Sequence, residues 1–257
     1  MSPSSPPMVL TFAASDPTGG AGVQADLVTL AALGCHPLSV ITALTVQDTR
    51  GVAEMLPIEP RWVSAQARGV LADLRPAAFK LGVLGSAANA RTVREVLGEH
   101  ARVPVVVDPV LASGRGDRLG DAASLMEAIV PAATVLTPNS DEARALAGER
   151  DLARCARRLT EAGAKYVLIT GTHEPGDEVV NILYDARGRI DEARWPRLPG
   201  SYHGSGCTLA SALAAALAHG RDVPQAARDA QRYTWEALKR GFTPGSGQAL
   251  PNRLSRK

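Results

Sequence analysis

The sequence predicts an α/β domain: a mostly parallel sheet covered on both faces by helices. Runs such as Val103-Pro-Val-Val-Val107 are apolar without alternation, as strands buried on both faces must be. Ala/Leu-rich stretches with helical spacing separate those runs. The chain has 257 residues, 45% hydrophobic and 21% charged, which is enough for one large core and too apolar for a disordered chain.

The elements follow in order. Met8–Ala14 reads as the first strand and Gly20–Leu33 as a helix closed by Gly34, a natural residue just past a helix end. Leu38–Val46 is a second strand and Ala53–Ile58 a short third. Arg61–Leu74 has helical spacing and stops before Pro76. Ala78–Leu84 is strand, Asn89–Glu99 helix, and Val103–Val107 a buried strand ending at Asp108. Helix Ala122–Val130, strand Thr134–Leu136 and helices Ser140–Leu146 and Leu152–Ala162 come next, then strand Lys165–Thr170. Val179–Tyr184 and Arg189–Arg194 form an antiparallel pair around Arg187-Gly188. Helices Cys207–Ala218 and Gln225–Arg240 finish the chain. No Pro/Gly/Ser linker divides the middle. We therefore expect a single domain over 8–243 between flexible tails at 1–7 and 244–257. Ligands in such sheets sit beyond the carboxyl ends of the strands.

Several classes lose weight at once. Net charge is +2 (28 Lys+Arg, 26 Asp+Glu) with no basic stripe, and aromatics are only 4%, so no nucleic-acid partner is expected. No run of about 18 apolar residues exists, so no membrane span is expected, and Met1–Pro7 lacks the features of a signal peptide. Cys35, Cys155 and Cys207 are odd in number, far apart and without a Cys-x-x-Cys pair. That fits a reducing, cytoplasmic location and excludes a zinc framework.

Six constellations could carry chemistry. His203-Gly-Ser-Gly-Cys-Thr208 opens an Ala-rich helix. Its unpaired N–H groups make an anion site, and a thiol in the first turn is expected to have a lowered pKa; simple turn glycines, a Ser205 or Thr208 cap and a small core cysteine are the plain alternative. Gly20-Ala-Gly-Val-Gln-Ala25 fits the dinucleotide fingerprint, with Asp48 near the place of its ribose acid, but Asp16-Pro-Thr18 lengthens the loop. Asp26 is either a dipole-complementing surface acid or a substrate ligand. Asp108 ends a buried strand. Thr137-Pro-Asn-Ser-Asp-Glu142 offers an oxygen set suited to Mg²⁺, or ordinary capping by Asn139 and Glu142. Gln47 after the second strand could read a heterocycle's edge, and Thr170-Gly-Thr-His173 suits close approach of a nucleotide. Trp62, Trp195 and Trp235 are widely separated and read as core or interface. Together the set fits phosphoryl transfer, where positioning and charge neutralisation carry catalysis.

Taken with Ala14–Asp26, Val40–Gly51, Lys80-Leu-Gly82 and Asp108-Pro-Val110, these motifs run in the order of one family. The chain resembles the hydroxymethylpyrimidine/phosphomethylpyrimidine kinases of thiamine biosynthesis over residues 8–241. The resemblance implies a ribokinase-like three-layer sandwich, ATP with Mg²⁺, a homodimer, and two phosphorylations of 4-amino-5-hydroxymethyl-2-methylpyrimidine. It implies an anion hole at Gly204, Ser205 and Gly206 with Cys207 as the base. It puts Gln47, Ala14, Asp26, Val83 and Val110 around the pyrimidine, Thr170, Gly171, Thr172, His173 and Asn139 on the nucleotide side, and Asp108 and Glu142 at the metal. Two cations of the family pattern are replaced. Gly114 precedes Arg115 where the family has a Lys before Ser-Gly, and Thr170 stands for another Lys; Val83 replaces a pocket Met. Rivals are a pyridoxal/pyridoxine kinase, a dinucleotide-dependent oxidoreductase built on Gly20–Ala25, and a catalytically idle ligand-binding module.

Overall fold

The computed structural model describes residues 5–112, 116–117 and 119–254. Among them are strands β1 Met8–Ser15, β2 His36–Asp48, β3 Gly51–Pro57, β4 Ala78–Leu81, β5 Val105–Val107, β6 Val135–Leu136, β7 Tyr166–Thr170, β8 Glu178–Asp185 and β9 Gly188–Pro196. The helices are α1 Gly22–Ala32, α2 Pro60–Asp73, α3 Ala87–Gly98, α4 Ala122–Ser124, α5 Ser140–Ala147, α6 Leu152–Glu161, α7 Ser205–Ala218 and α8 Val223–Lys239. One sheet runs in the order β3-β2-β1-β4-β5-β6-β7-β8-β9. It is parallel from β2 to β7 and antiparallel at both margins, where β3 pairs with β2 and the β8–β9 hairpin with β7.

Strand alternation sorts the core into two faces. Leu10, Phe12, Phe79, Leu81, Val105, Val107, Leu136, Val167 and Ile169 face one cluster with α2, α3, α5 and α6. Val9, Ala78, Val106, Val135 and Leu168 face the other with α1, α7 and α8. The expected three-layer sandwich is present.

Several boundaries differ for local reasons. Helix α1 starts at Gly22, not Gly20, because Thr18–Ala21 is held as a turn by the Asp16 carboxylate, which accepts from Thr18 N and Ala21 N. The expected helix 122–130 is broken: α4 passes into a π-helical turn at Leu125–Ile129 and a tight 3₁₀ turn at Val130–Ala132, where Pro131 lacks a donor. The expected free C-terminal tail is also corrected. Gln248 N donates to Thr49 O, Ala249 N to Ser201 O and Asn252 N to Ala237 O, and Leu250 and Arg253 are buried. Residues 248–253 are therefore packed against the rest of the structure.

Candidate active site

A cavity of about 730 Å³ opens at the carboxyl ends of the parallel strands, a size suited to small ligands. Its floor is the start of α7. Gly204 caps the helix in the left-handed conformation (φ +81°), and a side chain there would collide with the Gly20 carbonyl, so only glycine lets the two Gly-rich loops touch. The first intrahelical bond runs from Thr208 N to Gly204 O at 3.0 Å. The N–H groups of Ser205, Gly206 and Cys207 precede it and stand at the positive helix end, an anion-binding arrangement. The plain capping alternative fails, since Gly204 and no side chain caps this helix. Asp108 hangs over it: a Cβ on Gly206 would lie 3.3 Å from Asp108 Oδ1.

The thiol expectation is corrected. Cys207 is half-buried and opens on the cavity, but burial pushes it up to about 12. Lys80 pulls it down, while Asp108 and Asp26 push it further up. Desolvation outweighs the Lys80 charge. Asp108 also lies above the usual carboxylate range, through burial, although Lys80 and the Cys207 thiol oppose this. Glu142 is pushed up to about 8 by burial and by the Asp108 charge.

Asn139 and Glu142 close a capping box on α5: Asn139 Oδ1 accepts from Asp141 N and Glu142 N, and Glu142 accepts from Asn139 N at 2.9 Å. Both also line the cavity, so capping does not remove them from it. Ala14, Gln47, Val83, Val110, Thr170, Thr172 and His173 line it too. Two expected residues do not. Asp26 is fully buried behind the floor, where it accepts from Thr11 Oγ1 (2.6 Å), Ser211 Oγ (2.8 Å) and Lys80 Nζ. Gly171 is buried with its N–H given to Asn181 Oδ1 at 3.1 Å. Gly114 and Arg115 lie outside the described residues.

The dinucleotide alternative fails on the same geometry. Ala21 N is taken by Asp16, Gly20 N by Thr18, and Gln24 Oε1 accepts from Asp16 N. A side chain on Gly20 would meet His203 and Leu250, so that face of the loop is packed, not open to a pyrophosphate.

Sequence reasoning missed several residues here. Lys80 lines the cavity from the middle of a fully buried strand; a lone lysine in Ala78-Phe-Lys-Leu81 was the available signal. Asp16 is held well below the usual carboxylate range: burial alone would raise it, but hydrogen bonds from His203, Gln47 and Thr18 outweigh burial. His203 Nε2 lies 2.8 Å from Asp16 Oδ2. Trp195 and Trp235, read from the sequence as core or interface, stack at 5.9 Å on the cavity wall. Arg197 gathers the carbonyls of Thr172, Glu174, Gly176 and Glu178, shaping the loop 171–178.

The family model for phosphomethylpyrimidine kinase matches residues 16–252. A hydroxymethylpyrimidine/phosphomethylpyrimidine kinase of Streptomyces coelicolor is 46% identical, over 95% of this chain and 93% of its own; one from Mycobacterium tuberculosis is 40% identical over 98% and 95%. The pyridoxal kinase of Staphylococcus aureus in complex with ADP superposes with a TM-score of 0.89 at 28% identity, covering 97% of this chain and 94% of that one. A phosphomethylpyrimidine kinase of Clostridium difficile gives 0.78 at 33% identity, over 90% and 99%. With the family model covering residues 16–252 and the Streptomyces coelicolor kinase matched over nearly its whole length, the chain belongs to the phosphomethylpyrimidine kinase family.

Proposed function

We propose that this chain uses ATP to phosphorylate the hydroxymethyl group of 4-amino-5-hydroxymethyl-2-methylpyrimidine and then its monophosphate, within thiamine biosynthesis. The observation that carries the reading is the α7 N-terminus: three free-standing N–H groups, Cys207, Lys80 and Asp108 converge on one cavity.

In this reading Ser205, Gly206 and Cys207 N–H groups hold the transferring phosphoryl group, with Gly204 setting their direction. Gln47 reads the pyrimidine edge between Ala14, Val83 and Val110. Thr170, Thr172, His173 and Asn139 face the nucleotide. The hydroxyl proton leaves late in a loose transition state, and Cys207 Sγ is its acceptor.

Asp108 Oδ2 is buried without a hydrogen-bond partner, and Asp108 and Glu142 are both held above their ordinary range. Such a pair fits Mg²⁺, which takes one or two carboxylates and completes its shell from water and phosphate oxygens. Bound there, Mg²⁺ would neutralise charge on the phosphates. The cytoplasmic location rests on three unpaired thiols; the homodimer rests on family membership and on exposed Leu44, Val46 and Leu56 along β2 and β3. Among the described residues no helix is long and apolar enough to cross a membrane.

The test mixes the protein with Mg-ATP and the hydroxymethylpyrimidine and separates products by mass. Monophosphate followed by diphosphate is expected. Pyridoxal is run beside it, because the pyridoxal kinase superposition at TM-score 0.89 favours that second reading. Rapid phosphorylation of pyridoxal with none of the pyrimidine overturns the first.

Gln47→Ala should raise the pyrimidine KM by about tenfold, the worth of one lost hydrogen bond to the ring, with kcat within about threefold. An unchanged KM removes Gln47 from the pocket. Because Gln47 also donates to Asp16, Asp16→Asn serves as the control for loop disturbance.

A further inference from the structure

Arg253 is 6% exposed and comes from the stretch that follows the last helix. Its guanidinium donates to the Gly19 carbonyl at 3.3 Å, to the Gly20 carbonyl, to the Gly204 carbonyl at 3.4 Å and, through Nε, to Thr208 Oγ1 at 3.0 Å. The Thr208 hydroxyl in turn donates to Gly204 O at 2.8 Å. All four acceptors are uncharged. One side chain therefore joins both Gly-rich loops from behind.

The geometry has a directional consequence. A trans peptide points its C=O and the next N–H opposite ways. Holding Gly204 C=O against Arg253 aims Ser205 N–H away from the guanidinium, toward the cavity. The backbone around Arg253 is itself fixed: Ala249 O accepts from His203 N at 2.9 Å, Arg253 O accepts from Tyr233 Oη at 2.8 Å, and Gln248 N donates to Thr49 O at 2.8 Å, beside Gln47 and Asp48. The planar fork matches this task as an ammonium does not.

We propose that Arg253 is a positioning residue for phosphoryl transfer, fixing the direction of the α7 anion-binding N–H groups by clamping Gly19, Gly20, Gly204 and Thr208 from the C-terminal stretch. The inference rests on the kinase reading of the α7 site.

Arg253→Ala and Arg253→Lys are compared with wild type by steady-state kinetics and by amide hydrogen exchange. A misaimed hole should lower kcat about 100-fold in Arg253→Ala while the pyrimidine KM holds within about twofold. Exchange should rise about tenfold in peptides covering 18–24 and 201–208 and stay unchanged in the β4–β7 strands. Millimolar guanidinium should restore part of kcat, and Arg253→Lys, a point charge without the fork, should remain at least about tenfold down. Wild-type kcat with wild-type exchange in Arg253→Ala overturns the proposal. So does a general rise in exchange with no guanidinium rescue, which makes Arg253 only a core staple. Should wild type itself transfer no phosphoryl group, the kinase reading fails, and the exchange of the two loops still decides whether Arg253 holds them.

Discussion

Lys80→Met should lower the free energy of unfolding by about 3–5 kcal/mol, the cost of leaving a buried charge without its partner. Lys80 and Asp26 are both wholly inaccessible, with Nζ 2.8 Å from Asp26 Oδ1 and 2.9 Å from Oδ2. Thr11 and Ser211 hydroxyls satisfy Asp26 further but carry no charge. Burial alone would lower the Lys80 pKa, yet Asp26, Cys207 and Asp108 hold it above the ordinary lysine value. A cation whose pKa is raised on folding contributes stability that is whole below the unfolded value of 10.5 and is lost only as pH rises through the folded one. In the wild type, this lysine's contribution should therefore be the same at about pH 6 and pH 9. Urea midpoints at unchanged m measure it, and a cost under about 1 kcal/mol, that of an exposed pair, would show that the pair is solvated after all. Adding Asp26→Asn, which keeps an acceptor for one of the two hydroxyls, can donate to the other and removes the stranded charge, should recover at least half of the loss. Additive losses would mean that the two residues do not act as a pair.

The same lysine marks where sequence reading stops. Apolar runs and Gly turns determine the sheet and its two helical faces because burial on a parallel sheet leaves few other patterns. The antiparallel β3 was read only as a short strand, since its pairing with β2 depends on register, which local composition does not encode. Motif order brought Gly204–Cys207, Asp108, Glu142 and Gln47 to one cavity correctly. Its place in the first turns of a helix left Asp26 open between a surface acid and a ligand, and the family resemblance put it at the pyrimidine; that it faces the core turns on Lys80, 54 residues later. Gly171 was placed there because a Gly turn can hold a phosphate, but Asn181 had already taken its N–H. The thiol expectation weighed only the helix end; burial beside two carboxylates, which local sequence does not show, pushes the thiol up. Arg253 carried no local signal, since the partners of its guanidinium lie 45 or more residues away.

Cys207→Ala should fold normally and lose about 100-fold in kcat, the low end of what a positioned proton acceptor contributes. The low end follows from the thiol's state. With its pKa pushed up to about 12, Cys207 is almost wholly protonated near neutrality, so only a small fraction of the enzyme carries a ready thiolate. A loose transition state tolerates this, because the hydroxyl proton departs after most of the bond to the leaving oxygen has broken. The sign with pH follows: the thiolate fraction grows about tenfold per unit while pH stays below the thiol's pKa. Wild-type kcat should therefore climb between about pH 7 and 9 wherever chemistry limits turnover, and Cys207→Ala should lose that climb apart from any step that Glu142, held at about 8, contributes to both. Lys80 is the resident cation that draws the thiol downward, so Lys80→Met, assayed where it remains folded, should shift that climb to higher pH. Asp108, whose charge pushes the thiol up, acts in the opposite sense. Alanine at Cys207 with the wild-type rate and slope would remove the thiol from the chemistry. The anion-binding N–H groups of α7 would then carry catalysis with the hydroxyl proton going directly to solvent or to phosphate.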